Sequence, residues 1–379
     1  MGEELPRVFL LDAGELLAIR DRIYAGEEDL QAADQCLIRD ADQALYAGPF
    51  SVVDKETLPP SGDKRDYMSQ APYWWPDPDR TDGLPYVRRD GEVNPDSAGY
   101  DRAPLSGLCA ALSALAPAYF FSDLEHFAAH AGLLLRTWFL DEATAMHPHL
   151  EYGQAIPGRC DGTGIGIIDT HGFGWLVEMV GLLAASPAWN RDDQRALEAW
   201  FGAYLDWLLD SDHGREEAAQ NNNHGTWYDA QVASLALFVG RDEVARQICA
   251  TSARRRVAAQ IEADGSQPLE MARTRSLDYC AMNLAAFFDL ADLGLQVGID
   301  LWEYEVPGGG SIRRAFYWLV ERAIDGEWPH EQMSDFDKAQ LIPLLRRGGR
   351  RFADAGCEER IAAFADADAD RTNLLYPRR

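Results

Sequence analysis

The chain is poor in several features that mark large classes of protein. Its six cysteines, spread over 379 residues, form no CxxC pair, which predicts mostly buried thiols and not a disulfide framework or a zinc site. No apolar run reaches the roughly 18–20 residues of a membrane span. The given N-terminus lacks a basic segment followed by an apolar one. We expect a secreted or periplasmic protein if a leader has been trimmed, and a cytoplasmic one otherwise.

Basic residues are also scarce. The chain has 35 Lys and Arg against 62 Asp and Glu, which gives a formal net charge of −27. This charge argues against nucleic acid as a partner. It also opposes a polyanionic sugar unless arginines gather in one cleft, because the local field decides binding while the long-range field slows the encounter.

Apolar residues recur mostly at helical spacing, and strand-like alternation is scarce. The helices come in pairs joined by short turns, with no Gly/Ser-rich linker between them. We therefore predict an all-α fold, an incomplete (α/α)n toroid of about 5–7 helical hairpins, as a single catalytic domain over residues 1–379. The predicted helices are 13–46, 103–119, 123–139, 170–186, 191–211, 225–239, 241–263, 276–294, 310–325, 335–347 and 356–367.

One long irregular segment, at about 48–101, is rich in Pro, Asp and Gly. A loop of that length in a compact protein is usually functional. Its aromatic rings can stack on sugars and its arginines can bind uronate carboxylates, or the loop can plug one end of the helical barrel. The candidate substrate contacts in it are Tyr73, Trp74, Trp75, Arg88 and Arg89.

The run NNNHGTWYD at 221–229 places amides and an imidazole at the start of a predicted apolar helix. Amides are good helix caps, a helix N-terminus suits an anion, and an imidazole can move a proton near neutral pH. The run predicts either chemistry beside a bound carboxylate or a cap followed by a buried histidine. The candidates are Asn222, Asn223 and His224.

The segment DGSQPLEMARTRSLDY at 264–279 enters another predicted helix. Arg273 and Arg275 share a face if this entry is extended, and Tyr279 falls in the first helical turn. Two guanidinium groups near a phenol can hold a carboxylate and lower the pKa of Tyr279. The alternative is a surface pair of arginines and a core tyrosine.

Helix counting brings these segments together, because every second helix of an antiparallel series begins at the same rim. The helices that begin near 103, 170, 225 and 276 should share one mouth. His171, at the start of one of them, is a candidate second base or substrate contact, or else a histidine with a structural hydrogen bond. Gln154 is a candidate polar contact in a cleft wall.

Metal motifs are weak. The stretch His147-Pro148-His149 has no carboxylate or cysteine partner at a telling spacing, and the helical pair His126 and His130 lacks an HExxH context. We predict no metal site.

Taken together, APYWWPDP (71–78), NNNHGTWYD (221–229) and DGSQPLEMARTRSLDY (264–279) resemble the alginate lyase superfamily of polysaccharide lyases, with support from 136–158 and 164–173. The resemblance covers about 65–330. It implies an α/α toroid that cleaves a polyuronate, mannuronan-type alginate or glucuronan, by β-elimination without a cofactor. Endo or exo mode and oligomeric state stay open.

The resemblance also implies roles. Asn223 or Asn222, with Arg273 or Arg275, would neutralise the C6 carboxylate and so stabilise the charge that develops when the C5 proton leaves. Tyr279 and His224 would act as base and acid. In mannuronate and glucuronate H5 and O4 lie on the same side of the ring, so Tyr279 can serve both steps. His224 is then the base, or the partner that lowers the pKa of Tyr279.

Two other functions remain as alternatives. A glycoside hydrolase on a similar toroid needs two carboxylates across the scissile bond, for which Asp169 with Asp229, or Asp101 with Glu270, are candidates. A non-catalytic sugar-binding solenoid needs only an aromatic groove. In each case the predicted partner is an acidic polysaccharide, without nucleic acid or membrane.

Overall fold

A computed structural model describes residues 5–377, and most of these residues are helical. The helices are α1 (Ala13–Tyr24), α2 (Glu28–Ala44), α3 (Arg102–Ser122), α4 (Glu125–Leu135), α5 (Phe173–Leu182), α6 (Arg191–Asp210), α7 (Asp212–Ala218), α8 (Asn223–Phe238), α9 (Asp242–Ser252), α10 (Ala258–Gln260), α11 (Pro268–Met271), α12 (Ser276–Gln296), α13 (Ile312–Leu319), α14 (Ile342–Arg351), α15 (Gly356–Ile361) and α16 (Thr372–Leu375). The strands are β1 (Met68–Gln70), β2 (Trp74–Trp75), β3 (Val87–Arg88) and β4 (Tyr152–Ala155).

The helices form two concentric layers. In the inner layer α2, α3, α5, α8 and α12 pack on one another in chain order, and the contacts continue through α14 and α16 back to α2. In the outer layer α4 packs on α3, α6 and α9 pack on α8, and α13 packs on α12. The predicted all-α toroid is confirmed.

The helix α8 lies at the centre of this arrangement. Every residue from Gly225 to Phe238 is buried, because α5, α6, α9 and α12 all contact this helix. The start of α8 is therefore held by neighbours on every side.

The first predicted helix, 13–46, is two helices in the structure. The chain leaves α1 through Gly26, whose φ of +77° lies in the left-handed region that ends helices and favours glycine. Helix α2 then begins at Glu28. The outer helices α4, α9 and α13 each continue into a π-helical turn, at Arg136–Leu140, Ala253–Val257 and Val320–Ile324.

The composition of α3 would allow it to cross a membrane. Over an 18-residue window it has a mean hydropathy of 1.5, but 67% of that window is buried inside the protein. Gly107, Ser113 and Pro117 interrupt the apolar residues of α3, so its sequence is not one continuous apolar run. Its apolar character follows from its place in the inner layer.

The segment 48–101 packs over the mouth of the toroid. Strand β1 pairs in parallel with β4, and β2 pairs antiparallel with β3. A buried ion pair fixes its two ends, since Asp101 accepts from Lys55 Nζ at 2.9 Å and from the Met68 N–H at 2.8 Å. Tyr67 beside it is fully buried. The predicted irregular segment is therefore an ordered one.

The N-terminal stretch is tied to the inner layer by a buried acid. Glu178 of α5 is fully buried and accepts from the backbone N–H groups of Phe9 at 2.8 Å and Leu11 at 3.3 Å. Burial raises the pKa of Glu178 to about 8.

The six cysteines are all free, and three of them are fully buried.

Candidate active site

The start of α8 is fixed by a buried carboxylate. Asn223 is 1% exposed, and its backbone N–H and its Nδ2 donate to the two oxygens of Glu270 at 2.6 and 2.7 Å. Because a carboxylate only accepts, Nδ2 must face Glu270, and this sets the orientation of the amide. Nδ2 carries a second hydrogen, for which no partner lies among residues 5–377. Burial raises the pKa of Glu270, and the Asn223 hydrogen bonds oppose that rise.

Asn222 precedes α8 and is half-buried. It does not cap the helix through its side chain, as the sequence suggested; its backbone carbonyl accepts from the Gly225 N–H at 3.0 Å. Gly225 has no space for a side chain, since a Cβ would lie 2.1 Å from the Gln220 carbonyl and 2.3 Å from Arg256 Nη1. The small residue after the histidine is therefore a packing requirement.

His224 is held by a second buried acid. Its Nδ1 lies 2.8 Å from Oε1 of Glu217, which extends from α7 and is fully buried. Burial raises the pKa of Glu217, and the nearby His224 opposes that rise. When Glu217 is ionised it can only accept, so Nδ1 then carries the proton between them; Nε2 makes no hydrogen bond to a described residue. The side chain of His224 is 16% exposed, so a substrate can reach Nε2.

Tyr279, in the first turn of α12, lies against an arginine and a second tyrosine. Its hydroxyl accepts from Arg273 Nη2 at 2.9 Å and lies 2.8 Å from the Tyr73 hydroxyl. The guanidinium of Arg273 also covers the ring, 3.8 Å from its centroid. Burial raises the pKa of Tyr279 far above its ordinary value, although Arg273 opposes the rise. The predicted lowering of that pKa is wrong.

Arg273 and Arg275 belong to different networks. Arg273 donates to Asp90 from Nε at 3.0 Å and from Nη2 at 2.7 Å, while its Nη1 makes no hydrogen bond to a described residue. Arg275 donates instead to Asp278 at 2.6 Å. Of the two arginines, the structure places only Arg273 against Tyr279.

The starts of α3, α5 and α8 meet at the same rim, as helix counting predicted. Arg102 Nε lies 3.5 Å from Asp169 Oδ1, and the rings of His171 and Trp227 meet edge-on at 4.9 Å. His171 Nδ1 lies 2.7 Å from the Ile168 carbonyl, which only accepts, so the proton is on Nδ1. Burial lowers the pKa of His171, which keeps the ring neutral.

Gln154 lies in the wall beside this rim. It donates from Nε2 to Asp169 at 2.9 Å, and Asp169 also accepts from Tyr67 and Ser69. The side chain of Asp169 is completely buried. The arrangement makes Gln154 a residue that shapes the wall.

The chain is similar to known proteins in sequence and in fold. The family profile described as alginate lyase matches residues 51–330.

The chain belongs to the alginate lyase family.

An alginate lyase from Bacteroides ovatus has 36% sequence identity and a TM-score of 0.93, over 98% of this chain and 99% of that one. Alginate lyase A1-III from Sphingomonas species A1 shares the fold, with 16% identity and a TM-score of 0.62 over 99% of this chain and 98% of that one. A variant of A1-III complexed with a tetrasaccharide gives 15% identity and a TM-score of 0.63, over 100% of this chain and 98% of that one. No curated protein matches the chain. The predicted polysaccharide lyase is confirmed, and the non-catalytic solenoid is wrong.

The irregular segment 48–101, called the aromatic loop from here on, places its tryptophan rings beside guanidinium groups. Arg159 lies over Trp74 at 4.8 Å, and Arg89 lies over Trp75 at 5.1 Å. Arg88 is paired with Asp90 at 2.7 Å. These are the basic side chains that a polyanionic substrate needs near the mouth; sugar contacts by these residues stay a prediction.

The carboxylates of the hydrolase alternative all have structural partners. Asp229 forms a buried ion pair with Arg256 at 2.8 Å. Asp101 pairs with Lys55, Glu270 holds Asn223, and Asp169 accepts from the wall. None of the proposed pairs is free to act across a glycosidic bond, which agrees with a lyase.

Two residues of the site were missed by sequence reasoning. Glu217 lies in the short helix α7, seven positions before His224, and nothing in its spacing distinguishes it from neighbouring acids. Asp90 comes 183 positions before Arg273. Only the folded chain brings either acid to its partner.

Proposed function

We propose that this lyase cleaves mannuronan-type alginate or glucuronan by β-elimination, leaving a 4,5-unsaturated uronate. The observation that carries the proposal is the contact of Arg273 with Tyr279 at the rim. A guanidinium whose Nη1 makes no hydrogen bond to a described residue lies there beside a protonated phenol. The relative from Bacteroides ovatus, named an alginate lyase, supports the choice of a polyuronate.

The first requirement of the reaction is to stabilise charge at the C6 carboxylate. The C5 proton is weakly acidic, and its removal places negative charge on the carboxylate oxygens. Nη1 of Arg273 and the second Nδ2 hydrogen of Asn223 are the donors we assign to this charge, since fixed donors stabilise it without reorganisation. Asn222, which is more exposed, is the second candidate for the amide donor.

The proton steps follow from the protonation of the two side chains. Tyr279 carries its proton because its pKa is raised, so it is the acid that protonates O4 as the C4–O4 bond breaks. His224 Nε2 takes the C5 proton, and the C5–H electron pair becomes the C4–C5 double bond. The carboxyl of Glu217 stabilises the imidazolium that forms and keeps the proton on Nδ1.

The placement of the two groups supports this assignment. Both lie in the first turns of α8 and α12, which pack against each other. In mannuronate and glucuronate H5 and O4 are on the same side of the ring, so acid and base must approach from one face. His171, a neutral imidazole on the same rim, is the group we assign to a second base or a substrate contact.

A substrate panel tests the proposal. The purified chain is given mannuronan, guluronan, glucuronan and hyaluronan, and both the ultraviolet absorbance of the new double bond and the reducing ends are followed. We expect absorbance to rise with mannuronan or glucuronan. Reducing ends without the chromophore, or no turnover of any polyuronate, would contradict it.

We also propose that the whole chain is one catalytic domain, since inner-layer contacts run from α2 to α16.

A further inference from the structure

A cluster of two imidazoles and one carboxylate lies outside the candidate active site. Asp66 Oδ1 is 2.6 Å from His147 Nδ1 and 3.1 Å from His149 Nε2, although Asp66 is 81 positions from His147. The three potential ligand atoms lie within 4.8 Å of one another. The cluster joins the segment that leads into β1 to the one that leads into β4. His147-Pro148-His149 has no carboxylate partner at a telling spacing in the sequence, because Asp66 is distant in the chain.

We propose that Asp66, His147 and His149 bind one divalent transition-metal ion, with Zn²⁺ as the first choice. Two imidazoles with one carboxylate form a donor set that suits Zn²⁺, Cu²⁺ or Ni²⁺ and not the oxygen-seeking Ca²⁺ or Mg²⁺. Three protein ligands leave the fourth tetrahedral position to water. The side chains of the two histidines are 32% and 24% exposed, so water and ions reach the cluster.

Two of the three separations between ligand atoms are close to what the ion needs. Ligand atoms about 2.0 Å from a tetrahedral zinc ion lie about 3.3 Å from each other. The separation of 3.1 Å between Asp66 and His149 already fits, and the 2.6 Å separation from His147 has to open by less than 1 Å. The two imidazole rings lie nearly parallel, at 28° with centroids 6.0 Å apart, so both face the same carboxylate.

Outer contacts support ligation by His147 in particular. Its Nε2 lies 4.0 Å from the Asp63 carboxylate, so a second acidic group stands behind the proposed ligand. Its backbone N–H donates to the Arg65 carbonyl at 3.0 Å. One contact of His149 opposes ligation: its Nδ1 accepts a long hydrogen bond of 3.4 Å from the Glu151 N–H. This bond is lost when Nε2 binds the ion, because Nδ1 then carries the proton.

The bound ion would stabilise the cleft wall without entering the chemistry. Tyr67, the next residue after Asp66, donates to Asp169, and β1 and β4 follow directly. An ion that binds the folded chain and not the unfolded one stabilises by mass action. Metal binding is therefore expected to raise the thermal unfolding midpoint and leave the chemical step unchanged.

Calorimetric titration of the chelator-treated, dialysed chain with zinc chloride tests the proposal, together with thermal unfolding. We expect one ion per chain and a higher unfolding midpoint. Asp66→Asn keeps an oxygen that accepts from both imidazoles but removes the anionic ligand, so it separates a metal site from a hydrogen-bonded cluster. We expect Asp66→Asn and His149→Gln each to weaken Zn²⁺ binding more than tenfold.

The matched control is His126→Ala, an exposed histidine on α4 that belongs to no such cluster. It should bind zinc as the native chain does. Circular dichroism confirms that each variant is folded; one variant suffices if the other fails to fold. Absence of stoichiometric binding, or equal affinity in the native chain and the folded variants, would overturn the proposal. Because the readout is binding, the outcome does not depend on the proposed lyase mechanism.

Discussion

The hydroxyl groups of Tyr73 and Tyr279 share a hydrogen bond of 2.8 Å, and this bond joins the aromatic loop to the rim of the toroid. Asp90 of the same loop segment binds Arg273. The loop therefore contributes directly to the environment of both groups that the proposed mechanism requires, and a substrate at Tyr279 must also meet the loop.

Tyr279→Phe should lower product formation by about 10²- to 10⁴-fold, because it removes the proton donor for O4 together with its hydrogen bonds to Arg273 and Tyr73. The ring and its packing under Arg273 stay. The measurement is the initial rate of ultraviolet absorbance increase on the best polyuronate. Tyr46→Phe is the control, since Tyr46 is 90% exposed. Native-like rates for Tyr279→Phe on every polyuronate would refute the assignment.

Substitution of the two arginines by lysine should separate their roles. Arg273→Lys removes Nη1, the donor that we assign to the substrate carboxylate, and the hydrogen bond to Tyr279. We therefore expect kcat to fall by about 10²- to 10³-fold, as when one charge-stabilising donor is removed. Arg275→Lys should keep most of its activity, because Arg275 pairs with Asp278. Steady-state kinetics of both variants give the comparison. A larger loss in Arg275→Lys would reverse the assignment.

Glu217→Gln should slow the reaction by at least about tenfold, because proton transfer by a correctly held base contributes about 10²- to 10⁴-fold. The amide oxygen of the glutamine still accepts from His224 Nδ1, so the ring stays oriented while the charge is lost. Without that charge the imidazolium that forms during proton transfer is less stable. An unchanged rate would show that Glu217 has no part in proton transfer.

Glu178→Gln should change how stability depends on pH. Burial raises the pKa of Glu178 from 4.5 to about 8, so the folded chain holds this proton more tightly than the unfolded chain. The contribution of this proton to the free energy of unfolding is fully present below pH 4.5. It is lost as the pH rises through about 8, by up to about 1.4 kcal/mol per pH unit.

Denaturant unfolding at several pH values measures this effect. The native chain should lose stability over that window relative to Glu178→Gln, whose side chain does not titrate there. Glu56→Gln, at an exposed position, is the control and should follow the native chain. Parallel curves for the native chain and Glu178→Gln would mean that the proton is not held at this site.

Helical periodicity was enough to predict the toroid of paired helices and the common rim. The inner helices α3, α8 and α12 begin within two residues of their predicted starts, and counting alternate helices placed His171, His224 and Tyr279 together. The split between α1 and α2 was missed because one glycine turn does not disturb the apolar spacing around Gly26.

Burial was the quantity that the sequence did not show. The charges of Arg273 and Arg275 suggested a lowered pKa for Tyr279, but the cost of desolvating a phenolate is larger than the benefit from the one guanidinium in contact. Burial was also unexpected for Glu217, which the sequence did not single out, and for Glu270, which was a candidate only as one carboxylate of a hydrolase pair. They are buried against His224 and Asn223. Long-range pairing of acids with polar groups has no periodic signature.

The enclosure of α8 has a consequence for the divergence of substrate preference in this lyase. A residue change between Gly225 and Phe238 must be absorbed by the helices packed around α8, so the position of His224 is costly to vary. The segment that carries Tyr73 and Asp90 is held mainly by polar contacts to the rim, and it tolerates change more easily. Engineering for a different uronic acid should therefore alter the loop and keep α8 constant.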